Sequence, residues 1–374
     1  MKNKIIILIL SLSFFFSGCT SSPSSLQKFS MNFTDTVFNT FISFTGYTKD
    51  EATFESFASM IKEEFSYYNQ LFDKYNTYEG VNNIKTINDQ AGIAPVKVDK
   101  DIIELLLLSK QFSELTQGKF DITMGPVLEI WHQYREEGMK ANEENRDTQL
   151  PSLESLEAAK QLAGWENVEI NEAESSVYLT KVGASLDVGS VAKGFATEKI
   201  ARKLEAEGFS SGIINAGGNV RLVGQKPDQT PWKVGVQVPN LTAYSSDSLM
   251  TISLPSAASF VTSGDYQRFY YHEGKLIHHI IDPATLMPAN YYRAVTVIEK
   301  DNQFLADILS TALFALPYED GKQLIASLKN QGHQIEAIWV FDDTTPLPNQ
   351  EDENIIESKN YKILTTEGVS TLIE

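Results

Sequence analysis

The sequence predicts an α+β fold in which helices flank a mostly antiparallel sheet. Apolar residues at helical spacing dominate the earlier part of the chain, whereas short runs of strand-forming residues dominate the part after residue 210. This separation favours an α+β class over a doubly wound parallel sheet, in which helices and strands alternate. The chain has 374 residues, 42% hydrophobic and 21% charged, which suits one large or two moderate globular domains.

The predicted helices come from the spacing of apolar residues. Residues 51–75 carry aromatic and aliphatic side chains on one helical face, which predicts an amphipathic helix. Residues 99–115 contain a run of Ile and Leu that predicts a mostly buried helix. Further helices are predicted over residues 155–162, 192–208, 303–316 and 319–331. Residues 136–151 are charged and lack periodicity, so we expect a surface loop there.

The predicted strands are short and close together. A first strand is expected over residues 38–44, and a strand or turn over residues 120–126. Residues 268–272 and 276–281 are expected to form a hairpin around Glu273-Gly274. The other predicted strands span residues 176–180, 212–215, 220–223, 232–238, 249–254, 257–262, 294–298 and 335–341.

Charge and cysteine content exclude several classes of function. The formal net charge of −18 argues against nucleic acid or an anionic membrane surface as the primary partner. It does not exclude a phosphorylated ligand, because local Lys, backbone N–H groups or a divalent cation can neutralise phosphate. The chain has a single cysteine, so neither an intramolecular disulfide nor a cysteine-based metal site can form.

The N-terminus has the pattern of an export signal. Lys2 and Lys4 precede the apolar run Ile5 to Phe16, which is too short to span a bilayer as a mature helix. The small residues before Cys19 resemble a bacterial lipobox, in which Cys19 is lipidated after cleavage. We therefore expect a signal peptide over 1–18, a flexible tether over 19–30, a functional domain over 31–374 and an extracytoplasmic, lipid-anchored protein. The alternative is a plain signal peptide with an incidental cysteine.

Residues 186–194 predict a strand end, a glycine turn and a helix start. A helix N-terminus offers free N–H groups to an anionic ligand, and Lys193 would add a full positive charge. Asp187 would accept a hydrogen bond from a ring or hydroxyl group. The alternative is an ordinary connection capped by Ser190. The paired glycines in residues 215–219 allow either a close approach to a ligand or a simple turn.

The helix predicted from residue 303 carries polar residues on one face. Asp307, Ser310 and Thr311 lie three and four positions apart, so they can face one side. Carboxylate and hydroxyl oxygens are ligands that Mg²⁺ prefers. The alternative is that Ser and Thr are packing residues and that Asp307 is a surface charge. The helix is apolar nearly all round, however, and a buried Asp needs a cation or hydrogen bonds, which favours a metal.

Two adjacent histidines lie on a predicted strand that ends in a turn. His278 and His279 would face opposite ways, so at least one of them must enter a polar site. A histidine in an apolar strand is also found as a hydrogen-bonded core residue. Asp282 follows at the turn, and Asp265 lies in the motif Ser263 to Arg268, so either carboxylate is a candidate partner for proton transfer.

Together these segments resemble the ApbE family of FAD:protein FMN transferases. The resemblance covers roughly residues 33–340, and the ordered set of motifs is specific although each motif alone is weak. The matching blocks are Phe38-Asn39-Thr40, Phe120 to Pro126 with Trp131, Leu186 to Ala196, Ile214 to Val220, Thr262 to Arg268, His279 to Pro283 and Asp307 to Phe314. The family implies an ApbE-like, T-fold-like architecture.

The resemblance also implies an activity and a set of site residues. Members use Mg²⁺ to split FAD as substrate, attach FMN to a Thr or Ser hydroxyl of a target protein and release AMP. The implied metal ligands are Asp307, Thr311 and Ser190, with Ser310 at a position where some relatives have a second Asp. The implied contacts with FAD are Phe38, Tyr75, Phe120, Asp121, Asp187, Lys193 and His279, and the implied catalytic residue is His279. We hypothesise that His279, with Asp282 or Asp265, removes the proton of the acceptor hydroxyl. The implied acceptor is an exported or membrane electron-transport protein with a Thr/Ser flavinylation motif.

Two other functions remain open on the sequence alone. A magnesium-dependent FAD pyrophosphatase would use the same fold and release free FMN and AMP to water. A flavin-binding lipoprotein without catalysis would explain the export signal, the tether and a ligand pocket, but it would not need the Asp307 and Thr311 pair.

Overall fold

A nine-stranded antiparallel sheet forms the centre of the fold. The computed structural model describes residues 26–240, 247–301, 304–348 and 355–374. The strands are β1 (Gln27–Val37), β2 (Thr40–Thr48), β3 (Val96–Lys97), β4 (Val168–Asn171), β5 (Ser176–Leu179), β6 (Ser211–Ala216), β7 (Asn219–Gly224), β8 (Trp232–Gln237), β9 (Ser248–Leu254), β10 (Ala258–Gly264), β11 (Phe269–His272), β12 (Lys275–His278), β13 (Ala294–Glu299), β14 (Ile335–Asp342), β15 (Ile356–Ser358) and β16 (Tyr361–Thr365).

Within the described ranges, eight helices accompany these strands. They are α1 (Glu51–Phe72), α2 (Ile84–Asp89), α3 (Lys100–Leu115), α4 (Gly125–Glu143), α5 (Leu153–Lys160), α6 (Ala192–Ala206), α7 (Leu305–Phe314) and α8 (Tyr318–Asn330). The large sheet has the order β1-β2-β6-β7-β10-β13-β14-β16-β15. Smaller sheets pair β11 with β12, β8 with β9, and β3 and β4 with β5.

Both faces of the large sheet are covered. Along β13, Val295 and Val297 belong to the core shared with helices α1, α6 and α7, while Ala294 and Ile298 belong to a second core shared with β8 and β9. Successive side chains of a strand point to opposite faces, so a strand between two apolar layers is buried on both faces. All six residues of β13 are buried.

A third apolar cluster supports the region around the two histidines. It joins Met124, Val127 and Trp131 of the α4 region with residues of α5, with Tyr270 and Ile277 of the β11–β12 hairpin, and with the loop that follows. The hairpin is therefore packed against helices rather than against the large sheet.

The α+β prediction is confirmed, as are the predicted helices at α1, α3, α5, α6, α7 and α8. The loop prediction for residues 136–151 is wrong for its first part, because α4 continues to Glu143. Trp131, Gly138 and Ala141 lie on the buried face of this helix, and a Cβ at residue 138 would overlap the Tyr270 ring. The packing therefore requires a glycine where an apolar side chain would have shown helical periodicity.

The strand prediction for residues 38–44 is shifted. Phe38 and Asn39 both have positive φ, 53° and 48°, and form a tight turn between β1 and β2, which pair from Val37 to Thr40. β1 was not predicted, and it includes Gln27 to Ser30, the last part of the predicted tether. The predicted signal peptide, Cys19 and the start of the tether lie outside the described residues. None of the described helices combines the length and apolar character that crossing a membrane requires.

Candidate functional site

A buried carboxylate from the neighbouring strand accepts hydrogen bonds from the N-terminus of helix α7. Glu299, at the end of β13, accepts hydrogen bonds from the N–H groups of Leu305 (3.0 Å) and Ala306 (3.2 Å). Free N–H groups at a helix start need such an acceptor when they are buried. Phe304, just before the helix, is in the left-handed region with φ 66°. These contacts position Asp307 in the first turn of α7.

Asp307 is buried against the first turn of α6. The residue is only 6% exposed, and its Oδ2 accepts hydrogen bonds from Gly194 N–H (2.8 Å) and Asn219 Nδ2 (3.3 Å). A Cβ at residue 194 would overlap the Asp307 side chain, so the close approach requires glycine. Burial raises the pKa of Asp307, and the Lys193 charge and the two hydrogen bonds oppose this rise.

Three hydroxyl groups meet beside Asp307. Ser263 Oγ, near the end of β10, lies 2.9 Å from Ser310 Oγ and 3.4 Å from Thr311 Oγ1. Ser310 is fully buried and also donates to the Asp307 backbone oxygen over 2.9 Å. Thr311 is partly exposed. The structure thus brings the predicted residues Asp307, Ser310 and Thr311 together and adds Ser263, which sequence analysis had placed only in a motif.

Ser190 lies in the turn just before α6. The alternative reading of this residue as the helix cap is wrong, because Val191 is the N-cap residue and makes no side-chain capping bond. Ser190 is half-buried, and its turn is closed by a hydrogen bond from Val191 N–H to Val188 O (3.0 Å). Its predicted contribution to a metal site stays a prediction.

Asp187 is held by a lysine that the sequence analysis missed. Lys74 Nζ lies 2.9 Å from Asp187 Oδ2, and Gly189 N–H donates to Asp187 Oδ1 over 2.9 Å. Although burial opposes ionisation, Lys74 and this hydrogen bond hold the pKa of Asp187 below its ordinary value. Lys74 also lies 3.4 Å from Glu129 and 4.8 Å from the centre of the Tyr75 ring. These contacts join the end of α1, the start of α4 and the loop before α6.

Tyr75 is an exposed aromatic ring at the edge of this charged group. The residue is 49% exposed, and its ring centre lies 5.5 Å from that of His132. His132 Nδ1 is 2.6 Å from Arg135 Nη2, and burial lowers the pKa of both side chains. An exposed ring beside cationic groups is suited to a planar, negatively charged ligand.

The remaining predicted flavin contacts differ in their placement. Phe38 is partly buried in the β1–β2 turn, where its N–H donates to Asn69 Oδ1 over 2.7 Å. Phe120 is 1% exposed and packs in the main core, so its side chain does not line an open site. We correct the expectation of a direct side-chain contact by Phe120. Asp121 accepts from Thr123 N–H (2.9 Å) and thereby caps the 3₁₀ turn before α4.

The two histidines have separate roles. His278 is 3% exposed, with Nε2 lying 2.7 Å from Ala289 O and Nδ1 accepting from Ile280 N–H over 3.2 Å. Burial lowers the pKa of His278 to about 4, so the ring is a neutral, hydrogen-bonded core residue. His279 follows the last residue of β12 and is partly exposed.

His279 has an unused ring nitrogen. Within the part of the chain that the structure describes, its buried Nδ1 has no hydrogen-bond partner. Burial, followed by the charges of Arg268, His278, Arg135 and Lys193, lowers its pKa well below the ordinary value. A neutral imidazole with a free nitrogen is able to accept a proton.

The two candidate carboxylate partners of His279 are both held by cations. Asp282 Oδ1 lies 2.8 Å from Lys119 Nζ, and Asp265 Oδ2 lies 2.6 Å from Arg293 Nε. Burial raises the pKa of Asp265 to about 6, and Arg293 opposes this rise. The role of Asp282 in proton transfer stays a prediction.

The charges of Lys193 and Arg135 act on residues in both parts of the site. Lys193 acts on both Asp307 and His279, while Arg135 acts on His279 and interacts with Asp187. No three His, Cys, Asp or Glu side chains of the described residues group as a metal-binding cluster. A cation here would therefore rely on Asp307, on hydroxyl and backbone oxygens, and on ligand phosphates. This donor set fits Mg²⁺, which often binds one or two carboxylates together with water and phosphate oxygens.

Comparisons with known proteins point to one family. A scan against family models matches residues 38–339 to the model described as "ApbE family". A curated FAD:protein FMN transferase of Klebsiella pneumoniae is 31% identical over 276 residues, which cover 72% of this chain and 80% of that protein. One of the same name from Treponema pallidum is 29% identical over 273 residues, covering 70% and 71%.

A solved structure supports the same relationship. The crystal structure of the ApbE protein from Thermotoga maritima is 31% identical in sequence and has a TM-score of 0.69. The match covers 84% of this chain and 94% of that chain. The family match includes every predicted site residue from Phe38 to Thr311.

Proposed function

The chain belongs to the ApbE family, and we propose that it is an FAD:protein FMN transferase. The observation that carries this proposal is the family match over residues 38–339, which spans both the Asp307 region and the His279 region. In the proposed reaction, a hydroxyl oxygen of a target protein bonds to the FMN phosphorus while the bond to the AMP oxygen breaks. The products are a flavinylated protein and AMP.

We propose that Asp307 and Thr311, with oxygen from Ser190, hold a Mg²⁺ ion. Bound there, the ion would neutralise the negative charge of the FAD diphosphate, which is the main requirement of phosphoryl transfer. Asp307 supports this role because its Oδ2 is occupied by Gly194 and Asn219, and no bond to its Oδ1 is found among the described residues. Ser310 and Ser263 fix the hydroxyl network around Thr311.

His279 is proposed to take the proton of the acceptor hydroxyl. Its ring is kept neutral by burial and by neighbouring cations, and its Nδ1 is uncommitted. Such a base contributes on the order of 10²–10⁴-fold to rate. His278 cannot replace it, because both of its ring nitrogens are hydrogen-bonded to the backbone.

Flavin and diphosphate binding are proposed for the charged group between α1 and α6. Tyr75 offers an exposed ring, Lys193 a positive charge and Asp187 an ionised acceptor held by Lys74. Phe38 at the β1–β2 turn is the other aromatic candidate. Phe120 and Asp121 act on the site indirectly, through packing and through the cap before α4.

We also propose that the protein is exported and lipid-anchored through Cys19. The support is the basic start, the apolar run and the small residues before the cysteine. An enzyme in that location would modify an exported or membrane electron-transport protein on a Thr or Ser hydroxyl.

The test incubates the purified protein with FAD, Mg²⁺ and a candidate acceptor, followed by denaturing electrophoresis. We expect flavin fluorescence that stays on the acceptor, that is lost with a chelator, and that is lost when the acceptor Thr is replaced by Val. Release of AMP and free FMN without labelled acceptor would favour the pyrophosphatase. Flavin binding without any AMP would favour the non-catalytic lipoprotein.

A further inference from the structure

The carboxylate of Asp282 is buried and has one cationic partner. Its side chain is 4% exposed, and the partner Lys119, in the connection between α3 and α4, is 19% exposed. Lys119 Nζ and Ala284 N–H both donate to Asp282 Oδ1, over 2.8 Å and 2.9 Å. Removing one member of such a pair leaves an uncompensated buried charge. This carboxylate is therefore held in place by a lysine and a backbone N–H group.

The loop that Asp282 begins is closed on itself. Leu286 N–H donates to Asp282 O over 2.8 Å, and Asp282 N–H donates to Met287 O over 2.9 Å. Trp131 of α4 donates its ring N–H to Leu286 O over 2.8 Å, and Lys160 of α5 donates to Pro283 O over 2.9 Å. The loop therefore forms one hydrogen-bonded unit with α4 and α5, and the ion pair ties that unit to the connection before α4.

The position of His279 depends on this unit. Ile280, between His279 and the loop, accepts a hydrogen bond at its O from Ala289 N–H (3.0 Å). Ala289 O in turn lies 2.7 Å from the His278 ring. The Ile280 backbone and the His278 side chain, on the two sides of His279, are thus both joined to Ala289, two residues after this loop.

We propose that Lys119 is a positioning residue for His279 and that it acts through its ion pair with Asp282. The inference rests on the proposed function, and it gives Asp282 a holding role instead of the proton-accepting role considered for it from the sequence. Lys119 fixes the loop against the connection before α4, and the position of the loop sets where the His279 ring meets the acceptor hydroxyl.

The test compares kcat and KM for FAD in the wild type and in Lys119→Met, Asp282→Asn, the double variant and Lys119→Arg. We expect both single variants to lower kcat to a similar extent, about 10- to 100-fold, with KM little changed, because small misplacements of a reacting group cost rate. The double variant should be no worse than either single one, because both changes break one interaction. Lys119→Arg should retain most of the wild-type kcat. Lys100→Met, an exposed lysine at the start of α3, is the control.

Stability and a spectroscopic signal separate positioning from mere folding. The double variant removes the unpaired buried charge, so its thermal stability should recover while its kcat stays low. If thermal stability and kcat both recovered in the double variant, the ion pair would be purely structural and the proposal would be overturned. A far larger loss in Asp282→Asn than in Lys119→Met would also overturn it, because the carboxylate would then act directly.

An inactive wild type would contradict the proposed function but would still leave the inference testable. The NMR signals of the His279 ring, assigned with a His279→Gln variant, should shift in Lys119→Met at a pH where the protein is folded. Unchanged ring signals would overturn the positioning role whatever the activity.

Discussion

Lys193 links the two chemically important residues of the site. Its charge opposes the burial that raises the pKa of Asp307. Burial, then the charges of Arg268, His278 and Arg135, and last that of Lys193 lower the pKa of His279. One side chain thus favours an ionised carboxylate and a neutral imidazole at the same time. A carboxylate for a cation and a neutral base for a hydroxyl are the two protonation states that the proposed transfer needs.

Replacing His279 by Gln tests the base directly. We expect kcat for FMN transfer to fall by about 10²- to 10⁴-fold while KM for FAD changes little. The matched control is His333→Gln, at a half-exposed histidine that lies 3.2 Å from Asp301 and outside the site, and both kinetic constants should stay unchanged in it. Wild-type turnover by the His279 variant would rule out the assignment.

Replacing Gly194 by Ala tests the contact between α6 and Asp307. The added methyl group would overlap the Asp307 side chain, so the carboxylate must move. We expect a Mg²⁺ affinity at least about 10-fold weaker, as for other residues that orient a metal ligand. The control is Gly208→Ala at the other end of α6. The added Cβ would meet no neighbouring atom, but residue 208 has φ +90°, so this variant should lose stability without losing Mg²⁺ affinity. Equal Mg²⁺ affinity in the two variants would contradict the arrangement.

The residues that sequence analysis found and missed differ in one respect. Asp307 was predictable because a carboxylate in an apolar helix is anomalous within its own segment. Lys74 and Ser263 became visible only through partners far away in the chain, Asp187 and Thr311. A lysine at the end of an amphipathic helix and a serine on a strand are both ordinary in their local sequence.

At the level of elements, α7 depends on a strand for its start. Glu299 of β13 accepts two N–H groups of the first turn of α7, and that turn contains Asp307. A carboxylate at a helix N-terminus also interacts favourably with the helix dipole. The position of the metal candidate is therefore determined by the sheet.

Glu299→Ala should destabilise the protein by about 1–3 kcal/mol, because two buried N–H groups lose an acceptor. Transfer activity should fall with it, since the first turn of α7 would lose its anchor. Glu63→Ala, an exposed change in the middle of α1, is the control and should be nearly neutral. Chemical denaturation of the three proteins measures the difference. A Glu299 variant as stable as the control would show that the cap is unimportant.

The error over residues 136–151 has a physical cause in the packing of α4. Apolar periodicity predicts a helix only where the buried face carries apolar side chains. Gly138 is buried against Tyr270 but has no side chain, so it adds nothing to the apolar pattern. By contrast, α1 was predictable because its buried face carries Phe54, Ile61 and Phe65.

Across the whole molecule, the sheet brings together segments that are far apart in sequence. β7 carries Asn219, β10 carries Ser263, and α7 follows β13, the strand paired with β10. The fold class was predictable from the clustering of helices and strands. The strand order was not, because pairing such as that of β6 with β2 depends on contacts that local patterns do not contain.

The stability of the whole protein should fall as pH decreases from about 6.5 toward 4. His278 has a pKa lowered to about 4 by burial, against an ordinary value of about 6.5. Between these values the unfolded chain binds a proton that the folded chain does not, which costs about 3 kcal/mol in full. The lowered pKa of His279 acts in the same direction.

Asp265 changes the pH dependence of stability in the direction opposite to that of the histidines. Its pKa is raised to about 6 by burial, so its contribution favours the folded state at low pH and is lost as pH rises through 6. Asp265→Asn should therefore lose stability more steeply than the wild type between pH 6 and 4. Guanidinium unfolding at several pH values measures both slopes. Stability that increased on acidification in the wild type would contradict the buried neutral state of the histidines.

The central claim is that the protein transfers FMN from FAD to a protein hydroxyl and that this reaction depends on Asp307 and His279. The most direct measurement counts, in one reaction, the AMP released and the acceptor molecules that gain the mass of FMN. We predict equal amounts of the two in the wild type, and neither product above background in Asp307→Ala. AMP formed without any gain in acceptor mass would contradict the claim.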